Sequence, residues 1–196
     1  MTAIAGFILA GGQSRRMGTD KSKLVLEGQS FVERIANEMA VVTSSVSVVG
    51  SASATMAAEI QTVPDVYPQW GALGGVHAAL TNCFAEWALV VACDLPFVTG
   101  ELFAMLASLR ENCDAVAPVQ ADQIPQPLCA LYRVDPCRSQ AEQMINSGER
   151  KPIALLQSVH TRWVTFSELE DIAGAASFFD NINTRQDYDR ISRMGS

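Results

Sequence analysis

The chain reads as a three-layer α/β/α sandwich built on a mostly parallel, twisted sheet. Two observations predict this class. Through the first two-thirds, short apolar runs alternate with segments of helical periodicity about ten residues long, the mark of βαβ units. Several of those runs, led by Trp87–Ala92 (WALVVA), are apolar without alternation, as expected of strands covered on both faces. No repeat, low-complexity tract or polar linker interrupts the pattern, so residues 1–192 are expected to form one domain, with 193–196 a frayed tail.

In chain order, Ala3–Ala10 is an apolar strand without a basic leader, which distinguishes it from a signal peptide. Ser30-Phe31-Val32-Glu33 is a capping box, and Phe31, Ile35 and Met39 continue it as the buried stripe of a helix. Val46–Val49 and Ile60–Val63 are predicted strands, Gly75–Cys83 a helix, and Trp87–Ala92 the most buried strand. Thr99 caps a helix through Leu109, and Ala115–Val119 is the next strand. Beyond it, Leu128–Tyr132 and Arg162–Phe166 are predicted as strands, Asp135–Ile145 and Pro152–Leu156 as helices. Ser167-Glu168-Leu169-Glu170 and Thr184-Arg185-Gln186-Asp187 resemble capped helix starts.

Composition narrows the function. The 196 residues include 48% apolar ones, enough for a large core, and the net charge is −7. That sign argues against general affinity for nucleic acid or an anionic membrane surface. No apolar run reaches about 18 residues, so no membrane span is expected. Five cysteines without a CxxC pair suit reduced thiols, and a cytoplasmic location is expected.

Against the acidic total, residues 7–24 (FILAGGQSRRMGTDKSKL) gather Arg15, Arg16, Lys21 and Lys23 beside Gly11-Gly12. In an open parallel sheet, ligands bind outside the carboxyl ends of the strands. There the first strand delivers Gly11-Gly12, the strand ending at Val63 delivers Pro64-Asp65, and the strand ending at Ala92 delivers Cys93-Asp94. Glycines let backbone N–H groups approach a phosphate closely. The cations offset a polyanion, and Asp94 offers a hard oxygen to Mg²⁺. The set suits a nucleoside triphosphate. Neither GxxxxGK[ST] nor GxGxxG is present, which sets aside the P-loop and dinucleotide folds. Arg15 and Lys23 read as solvent-facing, Cys93 as packing, and His77 and His160 as structural. No Ser-His-Asp or Cys-His arrangement can be placed.

The remaining pattern, LAGGxSxRMGxDKxxLxLxG, resembles the nucleotide-binding signature of the nucleotidyltransferases, and most of all the molybdenum cofactor guanylyltransferases (the MobA family). Val63-Pro64-Asp65, Gly71-Ala72-Leu73-Gly74-Gly75, Cys93-Asp94-Leu95-Pro96 and Asn181-Ile182-Asn183-Thr184 extend the resemblance over nearly the whole chain. It implies a Rossmann-like nucleotidyltransferase fold and transfer of GMP from GTP to molybdopterin with loss of pyrophosphate, with Mg²⁺ as cofactor. It implies that Leu9, Ala10, Gly11 and Gly12 hold the nucleotide, that Lys21 contacts the triphosphate with Arg16 assisting, that Asp65 lies in the GTP site, and that Asp94 binds nucleotide and metal. Asn181, Asn183, Arg150 and Lys151 would serve the acceptor, with Pro127-Leu128 in a comparable place. Transient contact with molybdoenzymes or other cofactor-biosynthesis proteins is also implied. LAGG rather than LAAG tilts the base toward guanine. Gly50 stands where the family often has Asn. A cytidylyltransferase or sugar-phosphate nucleotidyltransferase on the same frame, and a nucleotide-binding module without turnover, remain as alternatives.

Overall fold

The structure, a computed structural model, describes residues 3–10, 24–26, 28–50, 60–67, 69–182 and 187–188. Strand β1 (Ile4–Ala10) lies inside the sheet, parallel to β4 (Val46–Gly50) on one side and to β6 (Trp87–Ala92), the middle strand, on the other. β5 (Gln61–Val63) extends the sheet beyond β4, again parallel. On the far side β8 (Cys129–Arg133) pairs antiparallel with β6 and with β7 (Ala115–Pro118), and β9 (Thr161–Val164) pairs parallel with β7. The order is β5-β4-β1-β6-β8-β7-β9. Within this sheet β8 alone runs against the rest.

Burial on both faces explains the unbroken apolar strands. Alternate residues of β1 and β6 enter opposite cores. Ile4, Ile8, Trp87, Leu89 and Val91 pack with helices α1 (Phe31–Met39) and α3 (Gly100–Ser108). Ala5, Phe7, Leu9, Ala88 and Val90 pack with α2 (Gly71–Thr81), α4 (Val134–Asn146) and α5 (Pro152–Ser158). Helices therefore cover both faces, and the three-layer α/β/α architecture is the one expected. A small antiparallel pair, β2 (Val25–Leu26) and β3 (Gln29–Ser30), turns at Gly28 with φ +83°; the apolar pattern did not predict it.

Helix starts written in local chemistry stand where expected. Ser30 and Glu33 form the capping box of α1, and Thr99 caps α3 by accepting the Leu102 N–H. Boundaries differ where the signal is tertiary. The predicted helix at Gly75 begins at Gly71, because Gly74 and Gly75 are packing glycines inside the helix rather than its punctuation. The predicted strand Arg162–Phe166 covers 161–164, because Thr165 caps α6 (Phe166–Leu169) in a box with Glu168. Ser167 lies inside that helix and is not its cap. The proposed start at Thr184–Asp187 lies largely outside the described residues, as does the tail 193–196.

All five cysteines are free and buried, and burial pushes the Cys129 and Cys137 thiols up to about 12, so they stay protonated at neutral pH. Among the described residues, no helix is long and apolar enough to cross a membrane.

Candidate active site

β1, β4, β5 and β6 run the same way, so their carboxyl ends share one edge of the sheet. β1 ends there with Leu9 and Ala10. The Leu9 carbonyl accepts the Cys93 N–H at 3.1 Å, which ties the exit of β1 to the turn after β6. Ala10 lies opposite Gly50, whose φ of +118° favours glycine at the end of β4. Gly11, Gly12, Arg16 and Lys21, the chain's next motif residues, lie outside the described residues.

Asp94 follows the fully buried β6 and is itself half-buried. Its carbonyl accepts the Ile182 N–H at 3.1 Å. That bond brings the C-terminal Asn181-Ile182 segment beside Asp94, although 88 positions separate Asp94 from Ile182. Ile182 is buried with Leu24, Leu26 and Phe31, which fixes the segment by apolar packing. Asn181 is exposed, with its amide N–H donating to the Phe179 carbonyl at 3.5 Å; Asn183 lies outside the described residues.

Asp65 sits two residues past β5, half-buried, and its Oδ1 accepts the Tyr67 N–H at 3.1 Å. This Asx turn leads into α2. β4 and β1 separate β5 from β6, and α2 bridges that interval through two glycines. A Cβ on Gly75 would lie 3.3 Å from the Leu9 side chain. One on Gly74 would lie 2.9 Å from the Trp70 Cβ and 3.7 Å from the Asp65 Oδ1. The absent methyl groups let the first turn of α2 press against both the Asp65 turn and the end of β1. His77, one turn further on, is buried against Tyr67 with ring centroids 5.0 Å apart. Burial holds its pKa below the usual histidine range, which fits the structural role expected of it.

Arg150 and Lys151, expected on the acceptor side, stand at the same edge by another route. β8 runs backward, so α4 returns toward the carboxyl ends and its following loop, 147–151, emerges there. Arg150 does not extend freely from that loop. Its guanidinium lies 4.5 Å over the Trp70 ring and donates to the Gln69 carbonyl at 3.2 Å. The Trp70 indole N–H donates to the Glu149 carbonyl at 2.9 Å. The Glu149 carboxylate accepts the Arg150 and Lys151 N–H groups, which lowers its pKa from the ordinary value. Lys151 is exposed at the start of α5. The Leu128 carbonyl accepts the Ala92 N–H and the Pro127 carbonyl accepts the Tyr132 hydroxyl, so both are engaged in holding the edge together.

Two shallow depressions of about 420 and 530 Å³ lie instead around Glu86 and Arg133, at the amino end of β6. They hold a partly exposed ion pair, Arg133–Glu86 at 3.3 Å, and none of the motif residues. The described motif residues, Asp65 and Asp94, lie at the other edge.

The matched family model is that of the MobA-like NTP transferase domain, over residues 6–162. The chain belongs to this family. A relative from Pelotomaculum thermopropionicum named "Probable molybdenum cofactor guanylyltransferase" is 32% identical, over 95% of this chain and 91% of that protein. One of the same name from Geobacillus sp. is 29% identical over 97% and 99%. Among solved structures, molybdopterin-guanine dinucleotide biosynthesis protein A from Archaeoglobus fulgidus superposes with a TM-score of 0.80 at 26% identity, covering 97% of each chain. The resemblance read from LAGG to NINT is thus matched by relatives of full length, and the chain is a nucleotidyltransferase.

For a MobA-like transferase, the sequence located the acids at the edge but missed Gln69 and Trp70. Gln69 has φ +70°, uncommon without glycine, and Trp70 makes its polar contact 79 residues away. No local pattern marks either. Among the described residues, no group of three or more His, Cys, Asp or Glu side chains could hold a metal. Mg²⁺ needs no such cage, since one or two carboxylates plus phosphate oxygens usually suffice. A half-buried carboxylate at the mouth of β6 fits that requirement.

Proposed function

We propose that this protein transfers GMP from GTP to molybdopterin and releases pyrophosphate, working as one catalytic unit over residues 1–192 in the cytoplasm. The observation that supports the reading most is the convergence of β1, β5 and β6 on one edge, with Asp94 tied to the Asn181-Ile182 segment.

In this reading the terminal phosphate of molybdopterin attacks the α-phosphorus of GTP in line, and the bond to pyrophosphate breaks opposite. No side-chain nucleophile is needed; positioning and charge neutralisation supply the acceleration. Lys21, assisted by Arg16, neutralises the triphosphate, and Leu9, Ala10, Gly11 and Gly12 fix it. Asp65 holds the nucleoside end through the turn before α2. Asp94 holds Mg²⁺, which when bound offsets charge on the phosphate oxygens. Asn181 and Asn183 border the metal and the acceptor, and Arg150 and Lys151 belong to the acceptor side. Release of the product to a molybdoenzyme, or hand-over from another cofactor-biosynthesis protein, involves transient contact.

The test is incubation with molybdopterin, MgCl₂ and either GTP or CTP. The expected products are the guanine dinucleotide and pyrophosphate with GTP alone. Turnover with CTP would transfer the chain to the cytidylyl branch, and nucleotide binding without pyrophosphate release would make it a binding module.

A further inference from the structure

The geometry points to Trp70 and Arg150 as a latch that fixes the 148–151 loop against the turn carrying Asp65, so that Arg150 is a positioning residue rather than an acceptor ligand. The inference rests on the proposed function and deepens its acceptor side. Two hydrogen bonds cross between loop and turn in opposite senses. The indole N–H of Trp70 donates to the Glu149 carbonyl at 2.9 Å, and the Arg150 guanidinium donates back to the Gln69 carbonyl at 3.2 Å. The guanidinium also stacks at 4.5 Å over the indole. A planar cation engaged both on a ring face and at a carbonyl has a fixed position. The carbonyl it grips belongs to Gln69, whose φ of +70° is uncommon without glycine and turns that carbonyl toward the loop.

The two sides have separate anchors apart from the latch. The turn is held by the Asp65 carboxylate on the Tyr67 N–H and by the Trp70 backbone N–H on the Tyr67 carbonyl at 3.1 Å, neither of which needs the indole. The loop is held by the end of α4, where the Glu149 N–H donates to Met144 and Gly148 takes φ +92°. Release of the latch therefore frees the loop and leaves the Asp65 turn in place. The neighbouring Lys151, whose backbone is fixed by the Glu149 carboxylate, moves with that loop.

The experiment compares Trp70→Ala, Trp70→Phe, Arg150→Ala, Arg150→Lys and the Trp70→Ala/Arg150→Ala double variant. The latch predicts that either alanine raises the molybdopterin KM about tenfold with the GTP KM and kcat near wild type, and that the double variant is no worse than either single one. Arg150→Lys, which keeps the charge but not the planar fork, does not rescue, and Trp70→Phe, which keeps a ring, lies between. Rescue by Arg150→Lys, or a normal KM in both Trp70 variants, would overturn the latch and make Arg150 a direct charge contact to the acceptor.

A second readout needs no turnover. Trypsin can cut at Arg150-Lys151 but not at Lys151-Pro152, so Trp70→Ala should be nicked faster at residue 150 at unchanged global stability. An unchanged nicking rate also counts against the latch. Wild type that forms no dinucleotide while nicking still responds would overturn the proposed function and spare the latch.

Discussion

Helices α2 and α3 both begin at the carboxyl edge, yet their first turns are built differently. α3 is satisfied by its surroundings: Thr99 accepts the Leu102 N–H, the Glu38 carboxylate accepts the Gly100 N–H at 2.6 Å, and Glu101 lies in the first turn. Each feature stabilises the positive end of a helix. α2 has none of these. Its N-cap position is Trp70 without a side-chain cap bond, its first turn has no acid, and it follows the left-handed Gln69. Its contacts come instead from a distant loop, through the Trp70 indole on the Glu149 carbonyl and the Arg150 guanidinium on the Gln69 carbonyl. The contrast separates a start made for stability from one placed for the site.

The largest expected effects test whether the edge does the chemistry. Lys21→Ala and Asp94→Asn should each lower kcat on the order of a hundredfold or more, with thermal unfolding near that of wild type. Wild-type turnover in either variant removes that side chain from the mechanism. A paired substitution then sharpens the contrast. A Cβ on Gly100 would lie 2.6 Å from the Val41 Cγ2, and one on Gly74 would lie 2.9 Å from the Trp70 Cβ. Both alanine variants should lose about 1–3 kcal/mol of stability through overpacking. Only Gly74→Ala should also lose activity per folded molecule, because its neighbour is the turn of Asp65. Equal specific activity in the two variants would erase the distinction between the helix starts.

A smaller change is expected from Thr99→Ala, which should destabilise by about 1 kcal/mol in denaturant titration and leave kinetics unaltered. The smallest is a pH effect at two capped helix starts and at the Glu149 loop. The Arg162 guanidinium and the Thr165 N–H hold the Glu168 carboxyl at about 2, and the Ser30 N–H and hydroxyl, both donating to the Glu33 carboxylate, lower its pKa. Both pKa values fall below the unfolded value of about 4.3, so the stabilisation is complete above that pH and is lost as pH drops through it toward 2. Amide exchange should show the starts of α1 and α6, and the Arg150 and Lys151 amides held by Glu149, loosening first on acidification, while the start of α3, capped by the Thr99 hydroxyl, changes less.

The same contrast explains what could be read from the chain. Ser30 with Glu33, and Thr99, act on neighbours three residues away, so their helices were visible in sequence. The acids Asp65 and Asp94 were visible because they end apolar runs, and the rule for parallel sheets placed them on one edge. The start of α2 was not, because Gly74 and Gly75 look like helix breakers until Leu9 and Trp70 are seen against them. The backward course of β8 was hidden too, since Cys129–Arg133 is as apolar as a parallel strand would be. The stacking of Arg150 on Trp70 is equally invisible in sequence, because the two lie 80 positions apart.

That single reversed strand has a wider consequence. Parallel crossovers alone would return every connecting helix to the same sequence of nucleotide-facing loops. By turning back at β8, the chain brings the 147–151 loop to the edge where β1, β4, β5 and β6 end, without altering those strands. In the proposed reaction the frame is thereby modular: one flank takes the nucleotide, the other the acceptor, and each can diversify while its companion stays constant.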